Sequence, residues 1–217
     1  MIYNIYKPVG WTSFDVVKKI RIITKEKKVG HAGTLDPFAE GMLIVATGKD
    51  TKLLQKISNN SKTYEASLVL GVKTDTMDSE GKIIEKKIVP DLELSKIDSI
   101  ISGFVGDYRH YPPMYCAKKI NGVRLYKLAR ENKIIKRDSI LSNISEIKVI
   151  NHTKTIITFS VTCSKGTYVR VLGSDIADKL GTVGYLNKLV RTKIGEFNIS
   201  NTIKIKDFEK QWKSIAN

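Results

Sequence analysis

Lys62-Thr63-Tyr64-Glu65-Ala66-Ser67-Leu68-Val69-Leu70 alternates with a period of two. Tyr64, Ala66, Leu68 and Leu70 fall on one side, Thr63, Glu65 and Ser67 on the other, as in a strand with one covered face and one wet face. Working back toward the N-terminus, Gly41-Met42-Leu43-Ile44-Val45-Ala46 is a continuous apolar run that reads as a buried strand. Ile2 to Tyr6 is a short strand stopped by Pro8-Val9-Gly10. Between these strands the period changes. Thr12 or Ser13 caps a helix with Phe14, Val17, Ile20 and Ile23 at helical spacing, and a polar, Gly-containing loop fills 27–40. Gly48 to Thr51 opens a short helix ending near Ile57.

The C-terminal side repeats the mixture. A polar loop over 74–81 leads to a strand, Ile83 to Val89, and a helix from Pro90 and Asp91 to about Ile100. Residues 106–122 read as a long loop interleaving Tyr108, His110, Tyr111 and Tyr115 with Arg109, Lys118 and Lys119, and Arg124 to Glu131 reads as a helix. Ile144 to Ile150 and Ile156 to Cys163 are strands, the second turning Ile157, Phe159, Val161 and Cys163 one way. Thr167 caps a helix whose core positions are Val169, Leu172, Ile176 and Leu180 and which Gly181 stops. A short helix near Tyr185 to Leu189, a strand near Thr192 to Phe197 and a helical tail from Phe208 to Ile215 complete the chain. Interspersed helices and hairpin-like strand pairs define an α+β fold: a mixed, largely antiparallel sheet with flanking helices. One domain is expected over 1–200, with 201–217 as a short tail.

The formal net charge is +15, from 37 Lys and Arg against 22 Asp and Glu. Such a balance favours polyanionic partners, because each phosphate neutralised releases counterions. Two distant cysteines, Cys116 and Cys163, make neither a disulfide framework nor a zinc motif, so no metal is expected and a reducing cytosol fits. The N-terminus lacks a signal-peptide layout, and no apolar run approaches the roughly 18 residues that span a bilayer. A soluble, cytoplasmic protein with no membrane association follows; nothing implies a protein partner.

Four places carry candidate chemistry. In Gly30-His31-Ala32-Gly33-Thr34-Leu35-Asp36-Pro37 the glycines permit close backbone approach, and Pro37 biases Asp36 toward extended backbone, aiming its carboxylate. The stretch reads either as a turn whose Asp caps its own backbone or as a catalytic loop on a rigid strand. Tyr64 is a core tyrosine or a base-stacking platform. Arg170 sits in the first turn of its helix, where the macrodipole disfavours a cation; it is either solvated or held by a carboxylate or phosphate. The aromatic and basic loop 106–122 suits unstacked bases and a phosphate backbone, or is ordinary basic surface.

Taken together, these segments resemble a family. Residues 30–43, Lys62-Thr63-Tyr64-Glu65-Ala66 with Gly71-Val72-Lys73-Thr74-Asp75-Thr76, Cys163-Ser164-Lys165-Gly166-Thr167-Tyr168-Val169-Arg170, the early Tyr6-Lys7-Pro8-Val9-Gly10-Trp11-Thr12-Ser13 and the late 189–197 are similar, in order, to the TruB-type tRNA pseudouridine synthases. The resemblance implies the pseudouridine synthase fold and conversion of the T-loop uridine at position 55 of tRNA to pseudouridine on a flipped-out base. It implies Asp36 as nucleophile, Tyr64 as stacking partner and candidate proton acceptor, Arg170 as partner of the catalytic carboxylate, Leu189 in the uracil pocket and His31 holding the T loop. Lys62, Tyr168 and Arg191 join the substrate-binding residues. Uracil leaves and returns within one site, so no cofactor is needed. Many bacterial relatives carry a further RNA-binding domain of the PUA type, and the 201–217 tail has no room for a full one. The competing readings are a synthase for another RNA site and an RNA-binding or tRNA-folding protein without turnover.

Overall fold

The computed structural model describes residues 1–131 and 133–216. In chain order the elements are β1 Ile2–Lys7, α1 Ser13–Thr24, β2 Val29–His31, β3 Glu40–Thr47, a 3₁₀ turn Gly48–Leu53, α2 Leu54–Asn59, β4 Lys62–Leu70, β5 Val72–Thr74 and β6 Ile83–Lys86. There follow α3 Leu94–Ser102, β7 Gly106–His110, β8 Lys119–Ile120, β9 Val123–Arg124, α4 Leu125–Arg130, β10 Ile140–His152 and β11 Ile156–Cys163. The chain ends with α5 Val169–Lys179, β12 Gly184–Ile194, β13 Phe197–Asn198, β14 Ile203–Lys204 and α6 Ile205–Ala216. The sheet is mixed and largely antiparallel, with flanking helices, so the α+β class read from the sequence holds.

The chain forms two compact units, Met1–Tyr64 with Leu189–Asn217, and Glu65–Lys188; it passes from the first to the second within β4 and returns within β12. In the first unit the strand order is β14-β1-β3-β12, with β2 also on β3 and β13 on β12. β1 runs antiparallel to β3, while β14 on β1 and β12 on β3 are parallel. Its core joins Ile5, Val16, Ile20, Leu43 and Val45 to Ile205 and Phe208, so the tail beyond residue 200 supplies core side chains. In the second unit the order is β4-β11-β10-β7, and β10 is antiparallel to both β11 and β7. The inward faces read from alternation are found: Tyr64, Ala66, Leu68 and Leu70 on β4, and Ile157, Phe159, Val161 and Cys163 on β11, are all buried.

Several expectations are corrected. Residues 106–122 are not one loop: 106–110 is strand β7, where Tyr108 and His110 point inward and Asp107 and Arg109 outward. The helix expected near 185–189 and the first half of the strand expected at 192–197 are one long strand, β12, which ends at Ile194, and Phe197 lies beyond a turn in β13. Two consecutive exposed residues, Asn187 and Lys188, put Leu186 and Leu189 three apart, a spacing that mimics a helix. α1 buries Val17 and Ile20 as expected, but Phe14 is 62% exposed and Val16 is buried in its place. α5 starts at Val169 with Tyr168 as its N-cap and no side-chain cap, while the Thr167 hydroxyl donates to the Ser164 carbonyl. The β6 strand ends at Lys86, short of Val89, and α3 begins at Leu94 rather than at Pro90.

Candidate active site

The loop carrying Asp36 lies between β2 and β3 in the first unit, and it is held at three points around the carboxylate. On the N-terminal side of Asp36, the Ser13 hydroxyl, in the first turn of α1, accepts from the Leu35 amide at 2.8 Å and donates to the Leu35 carbonyl at 3.2 Å. Beyond it, the Pro37 carbonyl accepts from the Gly10 amide at 2.8 Å and from the Lys7 ammonium at 3.3 Å. Lys7 is fully buried, and its ammonium also donates to the carbonyls of Pro8 and Trp11 at 2.9 and 2.6 Å. Several oxygen acceptors replace the water that a buried cation forfeits. Further back, Arg191 donates through Nε to the Met42 carbonyl at 2.8 Å and through Nη2 to the Gly33 carbonyl at 3.1 Å.

Gly41, with φ +102°, shows why that closeness needs glycine: a Cβ there would stand 2.5 Å from the Arg191 carbonyl oxygen. Asp36 is half-buried in the middle of this frame, and its own carbonyl accepts from the Ala39 amide at 3.1 Å in a turn. A carboxylate whose backbone is fixed on both sides has little freedom to lose when it meets a reacting atom.

Six of the eight residues singled out from the sequence, His31, Asp36, Lys62, Tyr64, Leu189 and Arg191, belong to this unit. Lys62 and Arg191 both flank Gly33. Lys62 is buried and donates to the carbonyls of Ser58 and Asn60 at 2.7 and 2.6 Å. Thr192 donates to the Thr63 carbonyl at 3.2 Å, which ties β12 to β4 beside Tyr64. Tyr64 and Leu189 are 8% and 5% exposed. His31 is half-buried; desolvation and then the Arg191 charge push its basicity below the ordinary imidazole range, so it stands neutral.

Tyr168 and Arg170 belong to the second unit. Arg170 is 3% exposed, so it is not a solvated arginine. Its Nη1 donates to the Thr76 carbonyl at 2.6 Å and lies 3.3 Å from an Asp78 carboxylate oxygen, while Nη2 donates to the Tyr115 carbonyl at 2.7 Å. The carboxylate demanded by a cation in a helix's first turn is therefore present in Asp78. Asp78 is itself 4% exposed and is braced by the Thr76 hydroxyl at 2.5 Å and the Glu80 amide at 3.1 Å.

Sequence reasoning missed Lys7, Ser13 and Asp78. Lys7 and Asp78 look like surface charges in polar stretches, and Ser13 like an alternative helix cap. Only an odd arginine in the first turn of α5 hinted that a carboxylate was due.

The comparisons agree with this architecture. A chain from a Cbf5–Nop10–Gar1 complex superposes with a TM-score of 0.78 at 27% identity, covering all of this chain and 56% of that one. One from an H/ACA RNP bound to a substrate RNA containing 2′-deoxyuridine gives 0.73 at 26% identity, covering all of this chain and 55% of that one. This chain thus spans little more than half the length of those proteins. The fold is that of the pseudouridine synthases.

The tRNA pseudouridine synthase B of Clostridium acetobutylicum is 44% identical over 210 residues, which are 97% of this chain and 72% of that protein. That of Lactococcus lactis subsp. cremoris is 44% identical over 216 residues, 96% of this chain and 66% of that protein. The model of the TruB family pseudouridylate synthase N-terminal domain matches residues 21–169. The chain belongs to the TruB family of pseudouridylate synthases.

Proposed function

We propose that this chain isomerises uridine to pseudouridine in tRNA, at position 55 of the T loop, with Asp36 as the nucleophile. The observation that carries this reading is the framing of Asp36: Ser13, Gly10, Lys7 and Arg191 fix the backbone on either side of one half-buried carboxylate. The relatives' activity on tRNA supports it. The reaction breaks the N1–C1′ bond, turns the uracil and rejoins it through C5, and an aimed carboxylate opens that path.

In the proposal Tyr64 stacks on the extruded base and Leu189 packs against the uracil. His31 and Tyr168 meet the RNA, and Arg170 supplies counter-charge to the nucleophile. Lys62 and Arg191 donate to backbone carbonyls, and in the proposal they shape the surface that meets the substrate. The net charge of +15 suits a T stem-loop, and a cytoplasmic location goes with such a substrate.

The test is to incubate the protein with unmodified tRNA and map pseudouridine before and after. Conversion at the T-loop uridine is expected, together with its loss in Asp36→Asn while RNA binding survives. Conversion that persists in Asp36→Asn refutes the nucleophile. An anticodon hairpin converted in preference to a T-loop hairpin refutes the target site.

A further inference from the structure

A buried polar cluster of the second unit lies beside the start of α5. Tyr108 and His110, both inward on β7, stack with ring centroids 4.5 Å apart and planes 9° from parallel. The Tyr108 hydroxyl donates to an Asp175 carboxylate oxygen on α5 at 2.5 Å. The His110 Nε2 lies 3.4 Å from the backbone amide of Tyr168, the N-cap of α5, which has no side-chain cap. An amide can only donate, so in this contact Nε2 is the bare nitrogen, while the Gly166 carbonyl beside the ring favours the protonated form. The ring proton then sits on Nδ1, which is 3.5 Å from the Tyr108 carbonyl. One neutral tautomer satisfies both contacts.

In a capping box, the amide of the N-cap residue is taken by a carboxylate or amide side chain three positions on. Here that position is Val171, which has no acceptor. His110, 58 residues earlier in the chain, occupies the acceptor's place. The same first turn carries Arg170, with its guanidinium on Thr76, Tyr115 and Asp78.

We propose that His110 is a positioning residue: as a neutral acceptor it fixes the Tyr168 amide and so sets where Tyr168 and Arg170 project, making turnover acid-sensitive through one imidazole. This rests on the function proposed above, in which Tyr168 and Arg170 serve the reaction. Protonation would remove the acceptor and place a cation at a helix N-terminus, where the macrodipole opposes it. The charged and titratable groups facing His110 are Asp175 on α5, Tyr168 at the N-cap of α5 with its ring edge-on at 6.0 Å, and Tyr108 on its own strand, while Lys73 and Asp178 act on Asp175. Burial, the largest influence, holds the imidazole below its usual basicity, against the smaller opposing pull of the Tyr108 and Gly166 carbonyls and of Asp175.

The experiment measures single-turnover pseudouridine formation on tRNA and thermal unfolding from pH 5 to 8, for wild type, His110→Gln and His110→Leu. Glutamine keeps a neutral acceptor at every pH, and leucine removes it. His110→Gln should keep the wild-type rate within about threefold at pH 7.5 and stay flat where wild type falls on the acid side. His110→Leu should lose roughly tenfold or more in rate, as expected of a small misplacement of catalytic groups. The sign for stability is fixed: an imidazole less basic when folded than when unfolded loses stability as pH falls below about 6.5. Wild type should therefore lose midpoint temperature relative to His110→Gln over that window. His31 contributes equally to both proteins and drops out of the difference.

An acid limb shared by wild type and His110→Gln overturns the proposal, as does a wild-type rate in His110→Leu. Should the leucine variant fail to fold, the glutamine profile decides alone. A wild type that converts no uridine at any pH refutes the proposed function itself, whereas conversion with an unaltered acid limb refutes only the role of His110.

Discussion

Two helices, α1 in the first unit and α5 in the second, begin in opposite ways. α1 is started by neighbours. The Thr12 hydroxyl accepts from the Asp15 amide at 3.1 Å, and the Asp15 carboxylate accepts from the Thr12 amide at 2.9 Å. Four consecutive residues hold that turn together, and Ser13 within it reaches across to Leu35. α5 has no such set. Its N-cap amide goes to His110 on β7, and the arginine of its first turn is charge-paired with Asp78 in the loop after β5. The start of α1 can form as soon as its own turn closes. The start of α5 waits for a strand and a loop from elsewhere in its unit. The start of α5, with Arg170, is therefore a product of tertiary assembly within its own unit, and its parts should fail together.

The strongest way to break this contrast is at Asp78. Asp78→Ala takes the Asp78 carboxylate away from the buried guanidinium of Arg170, and about 3–5 kcal/mol of stability should go, read from urea unfolding. A loss below about 1 kcal/mol would mean that the remaining partners of Arg170, the Thr76 and Tyr115 carbonyls among them, suffice. Arg170→Lys comes next. Lysine is a point donor and cannot hold Thr76, Tyr115 and Asp78 with one planar fork, so single-turnover conversion should drop by about 100-fold, more than RNA affinity does. A wild-type rate would sever Arg170 from the reaction.

At α1 the effect should be smaller and local. Thr12→Ala should cost about 1 kcal/mol, the ordinary worth of an N-cap, and amide exchange should rise only in the first turn. Exchange spreading through all of α1 would show that its start is not autonomous. Phe14→Ser, on the exposed face of the same helix, should change stability by less than about 0.5 kcal/mol.

The pH dependence sharpens the same comparison. Asp15 is less basic than an ordinary aspartate, first through its bonds to Thr12, so its contribution is present above about pH 4 and is lost as pH falls through the folded value. The α5 start should weaken earlier, below about pH 6.5. Amide exchange of the two helix starts between pH 4 and 7 would separate them, and simultaneous loss would contradict the difference.

Legibility followed the same divide. Strands β4 and β11 could be read because one covered face imposes a strict period of two over eight or more residues. The core face of α5 could be read because Val169, Leu172, Ile176 and Leu180 all meet its helical period, and all four are buried. β12 could not, because adjacent exposed residues break the alternation. β7 was hidden because tyrosine and histidine on its inner face look polar and aromatic, although Tyr108 and His110 are 7% and 3% exposed. Phe14 looked like core, yet Val16, one turn from Ile20, takes the inward position.

By itself the sequence determined the α+β class, the mixed sheet, the start of α1 at Thr12 or Ser13 and the Gly-containing aspartate loop, because these rest on periodicity, short-range hydrogen bonds and backbone freedom within a few residues. Only the tertiary structure decided that Lys7, Ser13 and Arg191 hold the Asp36 loop, that Asp78 answers Arg170 and that His110 takes the amide of Tyr168. Those contacts join residues 22 to 158 positions apart, and a buried charge or amide is indifferent to which part of the chain supplies its partner.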